Sequence, residues 1–142
     1  MLQTASSLLT HFKTLTNEAI DTYQKLTKID IDKTRGPLFE RFKEEHIKQV
    51  ESVERAYRET VSDAYSIAFL ANPLDEKKFS LEKLNTENDS SLFEYVMRIE
   101  DMLIKYSQIA GNVIKEELPE VAHALYLASK KGKMRLETLR FA

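Results

Sequence analysis

Apolar residues recur every three or four positions along four stretches of the chain, a spacing typical of amphipathic α-helices and not of strands. The pattern predicts four helices, which cover about residues 4–29, 37–71, 90–117 and 119–139. Pro37 and Pro119 fit the first turns of two of them, because the N–H that proline lacks would be unpaired there. The sequence therefore predicts an all-α fold, in one domain over residues 1–142.

The lengths of the three connections indicate how the helices are ordered. The first and third are short, so helices one and two should be antiparallel, and likewise helices three and four. The middle connection, 72–89, has about 18 residues and can span roughly 60 Å, more than the ~40 Å length of a helix of ~27 residues. We therefore expect a long crossover between helices 2 and 3, the loop pattern of a ferritin-like four-helix bundle. Phe79, Leu81 and Leu84 indicate that this crossover packs as a short helical piece.

Composition excludes several kinds of chemistry. The chain has no cysteine, which rules out disulfides, thiolate metal sites and a cysteine nucleophile. Its 21 basic and 23 acidic residues leave a net charge of −2, which gives no whole-chain attraction for nucleic acid or an anionic membrane. We interpret Lys130, Lys131, Lys133 and Arg135 as cations that offset the dipole at the end of helix four. We expect a soluble cytoplasmic protein with neither a nucleic-acid nor a membrane partner.

Polar residues interrupt the apolar stripe of each predicted helix near its middle. The interrupting residues are Thr16, Glu45, His46, Gln49, Glu100 and Lys131. Burying a carboxylate is unfavourable unless the carboxylate is paired or ligates a metal. Glu45 and Glu100 therefore mark the candidate site.

The chain resembles the rubrerythrin branch of the ferritin-like superfamily over roughly residues 8–139. The stretches that carry the resemblance are Asn17–Tyr23, Phe39–Glu45 and Ile99–Asp101. The resemblance implies a carboxylate-bridged di-iron centre, held by one Glu from each of two helices and a Glu-x-x-His from each of the other two. Such iron serves peroxide reduction, oxygen chemistry or iron storage.

Carried over to this chain, most of the implied ligand set is missing. Glu45 and Glu100 match two of the glutamates. The other four ligand positions hold Thr16, Lys48, Lys131 and Met134. Because a di-iron site needs several carboxylates to balance two divalent ions, the scaffold is interpreted as one that has lost its metal.

The two inward carboxylates leave three interpretations open. The first is an intact di-iron site, and the second is a single metal held with His46 or Gln49. In the third, Lys131 or Lys48 supplies the positive charge that iron supplies in the family. We expect the third, with Lys131 reaching the mid-level of the bundle and pairing with Glu45 or Glu100.

These expectations lead to two functional hypotheses, neither with an assigned catalytic residue. In the first, a ferritin/rubrerythrin-like bundle without its di-iron centre binds no cofactor and acts as a non-catalytic interaction or structural module. In the second, the chain is a rubrerythrin-like protein that binds iron or another divalent metal through an unusual ligand set. It would then handle iron or act as a di-iron-type oxidoreductase on peroxide or oxygen.

An uncharged run near the end of the second predicted helix indicates self-association. Residues 64–70 are apolar nearly all round, and a helix of that kind should be covered on every side. Either the crossover covers it, or it forms a symmetric homodimer with Tyr65 and Phe69 as contacts. We expect the homodimer.

Overall fold

The computed structural model describes residues 1–29, 35–61, 69–85 and 91–142, and these residues are mainly helical. Their α-helices are α1 (Ala5–Ile29), α2 (Gly36–Val61), α3 (Leu81–Asn85), α4 (Leu92–Ile114) and α5 (Pro119–Arg140). They also include a 3-10 helix, Glu76–Phe79, and two short strands, β1 (Leu2–Thr4) and β2 (Phe69–Leu74). The prediction of an all-α chain is thus confirmed at the level of fold class.

Local features of the sequence explain where three of the long helices begin. The hydroxyl of Ser91 accepts a hydrogen bond of 3.1 Å from the Glu94 N–H, so Ser91 caps α4. Pro119 opens α5, and Pro37 lies in the first turn of α2. Each of these signals acts over one turn, which is why it could be found without knowledge of the packing.

The predicted extent of the second helix is wrong at its C-terminal end. Helix α2 is described as far as Val61, residues 62–68 lie outside the described residues, and residues 69–74 form a strand where the prediction continues the helix to 71. This strand, β2, pairs with β1 in antiparallel register, with Leu2 opposite Leu74. A short apolar run does not by itself distinguish a buried helix from a strand, and the pairing with β1 decides it here.

The segment between β2 and α4 packs onto the helices through an aromatic contact and a hydrogen bond, both made by Phe79. Phe79 and Leu84 are both buried, and the ring of Phe79 lies edge-on to that of Tyr106 in α4, with centroids 5.3 Å apart. His11 of α1 contacts the Phe79 carbonyl through Nε2 at 2.8 Å. The short helices here agree with the helical piece expected from the sequence.

The four long helices pack in a defined set of pairs. α1 contacts α2 and α4, and α5 contacts α4 and α2. The bonds that link three of these pairs run in antiparallel order. They are Lys13–Glu54 and Lys43–Gln24 for α1 and α2, Tyr106–Leu8 and Tyr95–Glu18 for α1 and α4, and Arg135–Glu45 and Thr60–Glu120 for α2 and α5. None of the described helices has the combination of length and apolar character needed to cross a membrane.

Two glycines lie where α4 and α5 approach closely. A Cβ added at Gly132 would lie 2.8 Å from Cγ1 of Ile104, which is too short for two carbon atoms. A Cβ added at Gly111 would lie 3.5 Å from the Ala122 carbonyl oxygen, an ordinary contact. A side chain at position 132 would therefore force Ile104 to shift, whereas one at position 111 would not require any neighbour to move.

We expect Gly132→Ala to lower the free energy of unfolding by about 1–3 kcal/mol, because Ile104 must shift to admit the methyl group. Gly111→Ala is the matched control. It should be neutral or stabilise the protein by up to about 1 kcal/mol, since alanine favours the helix over glycine. Urea unfolding of both variants tests this, and equal effects at the two positions would contradict it.

Candidate functional site

Glu100 of α4 forms the centre of a polar cluster inside the four long helices. Its side chain is completely buried, and three donors converge on Oε2. They are the hydroxyl of Tyr23 at 2.5 Å, Nε2 of His46 at 2.9 Å and Nε of Arg135 at 3.0 Å. Because an ionised carboxylate only accepts hydrogen bonds, Nε2 of His46 carries a proton in this contact.

Arg135 of α5 joins the carboxylates of two other helices. While its Nε donates to Glu100, its Nη1 donates to Oε1 of Glu45 at 3.0 Å and its Nη2 to Oε1 of Gln49 at 3.2 Å. Only 2% of the arginine is exposed, whereas 28% of the Glu45 side chain is. The fixed fork of the guanidinium thus links α5 to both α2 and α4 from within the core. We call Tyr23, Glu45, His46, Gln49, Glu100 and Arg135 the Glu100 cluster.

The charges of the cluster determine the ionisation of its acidic groups. Burial alone would raise the pKa of the Glu100 carboxyl, but His46 and Arg135, together with the hydrogen bonds from His46 and Tyr23, lower that pKa to about 2. Burial and the adjacent Glu100 carboxylate raise the pKa of the Tyr23 hydroxyl. At neutral pH the cluster therefore holds an ionised Glu100 and a protonated Tyr23.

Two polar atoms of the cluster are not satisfied. Oε1 of Glu100 and Nε2 of Gln49 are buried, and neither has a hydrogen-bond partner among the described residues. An unpaired buried polar atom typically costs about 1–3 kcal/mol. The other oxygen of Glu100 accepts all three bonds, so the carboxylate is held strongly on one side only.

The donor set does not fit a di-iron centre. Over the described parts of the chain, no three Asp, Glu or His side chains converge so that they could hold a metal ion. Both carboxylates of the cluster instead accept hydrogen bonds from a guanidinium, which stays charged at any pH relevant to proteins. The arrangement neutralises buried charge and fixes helices, and it presents no activated nucleophile.

The structure brings together the four residues of the predicted polar layer. Glu45, His46, Gln49 and Glu100 all belong to the Glu100 cluster. Thr16 is also buried, but its hydroxyl donates to the Phe12 carbonyl of its own helix at 2.8 Å.

The prediction that Lys131 pairs with Glu45 or Glu100 is wrong, because Lys131 is exposed and Arg135 makes both contacts. At about 100° per residue, Arg135 lies only ~20° from the direction of buried Ala128, whereas Lys131 lies ~60° away.

Lys48 is exposed too, since it follows buried His46 by two residues and so faces away from the core. Met134, placed on the inward stripe by its spacing, is 68% exposed.

Sequence reasoning missed two members of the Glu100 cluster, Arg135 and Tyr23. Arg135 was interpreted as one of several cations at the end of the last helix, yet it lies on the core side of α5. Both residues continue an apolar stripe, at seven residues from Ala128 and four from Ala19 respectively. The available signal was a polar group at a position of the apolar stripe. In α5 this signal was assigned to Lys131, whereas Arg135 is the residue in the core.

The proposed dimer contacts fall where the structure gives no account of side chains. Tyr65 and the whole of 62–68 lie outside the described residues, as does the side chain of Phe69. The backbone at Phe69 is a strand, so the premise of a helix that is apolar on every side does not hold there. The homodimer stays a prediction.

Comparison with known proteins identifies no relative of this chain. No family model, curated protein or solved structure matches it. The case for a function therefore depends on the geometry described above.

Proposed function

We propose that the chain is a ferritin-like bundle of rubrerythrin type in which an arginine has taken the place of the metal centre. In this proposal it acts as a non-catalytic structural or interaction module. The observation that carries the proposal is the guanidinium of Arg135, which lies between the carboxylates of Glu45 and Glu100 at 3.0 Å from each. These are the two glutamates that match the family's ligand pattern.

The order of the interhelical bonds supports a crossover. Since α1 is linked in antiparallel order to both α2 and α4, these two helices point the same way. The chain between Val61 and Leu92 must then return along the length of the helices before α4 begins. One such long connection between helices two and three is the feature that distinguishes a ferritin-like bundle from an up-down-up-down bundle.

The charge balance of the cluster supports the loss of metal chemistry. A di-iron site balances two divalent ions with several carboxylates, whereas the Glu100 cluster contains two. The guanidinium of Arg135 pairs with both Glu45 and Glu100, and the imidazole of His46 adds a hydrogen bond to Glu100. Neither group changes redox state, so in this proposal they hold the helices together.

A second candidate function is a rubrerythrin-like protein that binds iron or another divalent metal through an unusual ligand set. The observation in its favour is the unpaired Oε1 of Glu100, since an unsatisfied buried carboxylate oxygen is a competent ligand for a cation. Binding would require Arg135 to move, because a cation at this oxygen would be close to the guanidinium.

Elemental analysis distinguishes the two candidates. We expect protein purified after growth with iron, manganese and zinc to contain much less than one equivalent of any of them. One equivalent or more that disappears in a Glu45→Ala, Glu100→Ala double variant would overturn the first proposal and support the second. A Glu44→Ala, Glu51→Ala double variant is the control, because both side chains are exposed on α2 outside the Glu100 cluster.

A further inference from the structure

A concavity of about 500 Å³ lies between helices α4 and α5 and the connecting segment, which is the part of the chain between β2 and α4. The concavity is separate from the Glu100 cluster. Its floor is apolar and is formed by Phe79, Leu84, Met97, Met102 and Leu136. Three of these side chains are buried in the core, and the two methionines of α4 are half-buried. A volume of this size suits a small organic ligand, for which about 300–1,000 Å³ is typical.

The rim of the same concavity is strongly basic. The cations that line it are Lys78, Lys83, Arg98, Lys105 and Arg140, contributed by the connecting segment, α4 and α5. The acidic residue in the lining is Asp101, whose Oδ2 pairs with Nζ of Lys105 at 2.8 Å. Among the described residues, five cations and one anion thus line this concavity, although the whole chain has a net charge of −2.

We propose that this concavity binds an amphiphilic anion, with its carboxylate or phosphate headgroup among the cations and its aliphatic tail against the apolar floor. Several cations at one concave surface raise the local concentration of an anion. The apolar floor favours binding of an aliphatic tail, since each CH₂ group buried there contributes about 0.8 kcal/mol to the binding free energy. Met97 and Met102 are unbranched and polarisable, so they can adapt to a flexible tail.

The lining favours such a ligand over a nucleic acid. Binding of single strands uses exposed aromatic rings on which bases stack. The aromatic residue of this lining, Phe79, is 7% exposed and already packs against Tyr106. The site offers aliphatic and thioether contacts surrounded by positive charge. A fatty-acid-like molecule matches both features, with its apolar tail and its anionic headgroup.

Calorimetric titration at low salt with four probes tests the proposal. We expect dodecanoate and dodecyl phosphate to bind with one molecule per chain, each at least about tenfold tighter than dodecanol or inorganic phosphate. Dodecanol lacks the charge and inorganic phosphate lacks the tail. If inorganic phosphate matches dodecyl phosphate, or dodecanol matches dodecanoate, one half of the proposed site is absent and the proposal fails.

Charge reversal at the rim tests the location. Lys78→Glu with Arg140→Glu should raise the Kd of dodecanoate at least about tenfold, because both exposed cations become anions. Lys25→Glu with Lys28→Glu makes the same change of net charge on α1, at exposed residues outside the lining of the concavity, and should leave the Kd within about twofold. Equal weakening in both pairs would show only a general effect of net charge and would overturn the site.

The methionine methyl groups give an independent measurement in the unmodified protein. On addition of dodecanoate, the NMR signals of Met97 and Met102 should shift, whereas that of exposed Met134 should not. Binding with shifts at Met134 alone would place the amphiphile on the outer surface of α5 and refute the proposal.

Discussion

Replacing Arg135 with methionine should lower the free energy of unfolding by about 3–5 kcal/mol, the largest effect we expect from a single substitution. Methionine keeps much of the length of the side chain but removes the guanidinium. Glu100 would then remain completely buried without the cation that donates to its Oε2 at 3.0 Å. Urea unfolding with linear extrapolation measures the loss.

Lys131→Met is the matched control for this experiment. Lys131 lies one turn before Arg135 on the same helix but is exposed, so its loss should change stability by no more than about 0.5 kcal/mol. A double variant, Arg135→Met with Glu100→Gln, should recover part of the loss, because it removes both buried charges together. No loss of stability in Arg135→Met, or an equal loss in Lys131→Met, would contradict a specific stabilising role of the buried guanidinium.

The parts of the fold that were predicted from sequence depend on interactions within a few residues of one another. Helix α4 begins at Ser91 because a hydroxyl can reach an N–H three residues later, and α5 begins at Pro119 for a similarly local reason. The end of α2 has no such signal. Whether residues 69–71 continue a helix or form a strand depends on β1, which lies 65 or more positions away in the sequence.

The two glutamates of the candidate site were predicted from the sequence, whereas the arginine that pairs with them was not. Glu45 and Glu100 could be recognised because carboxylates in an apolar stripe are costly and therefore informative. An arginine near the end of a helix is commonly a surface cation that offsets the helix dipole, and Arg135 was assigned that role instead of a place in the core. Its position on the apolar stripe of α5 indicates burial, but its pairing with two carboxylates on other helices is not visible in the periodicity of α5.

Acid should destabilise the protein chiefly through Glu100. Its pKa is about 2 in the folded protein, against 4.5 for the free group, so the folded state favours the ionised form. The stabilisation is therefore fully present above about pH 4.5 and is lost as pH falls toward 2. With about 1.4 kcal/mol per pKa unit, the loss is of the order of 3 kcal/mol.

The comparison with Glu100→Gln isolates this contribution. The variant should be less stable than the unsubstituted protein at neutral pH, because the ion pair with Arg135 is gone and the hydrogen bond from His46 no longer meets a carboxylate. Its stability should fall less between about pH 6 and pH 3, since glutamine does not titrate. Glu51→Gln removes an exposed carboxylate of α2 and should keep the full acid dependence. If Glu100→Gln and the unsubstituted protein lose stability in parallel over this range, the ionised Glu100 is not what holds the four helices together at neutral pH.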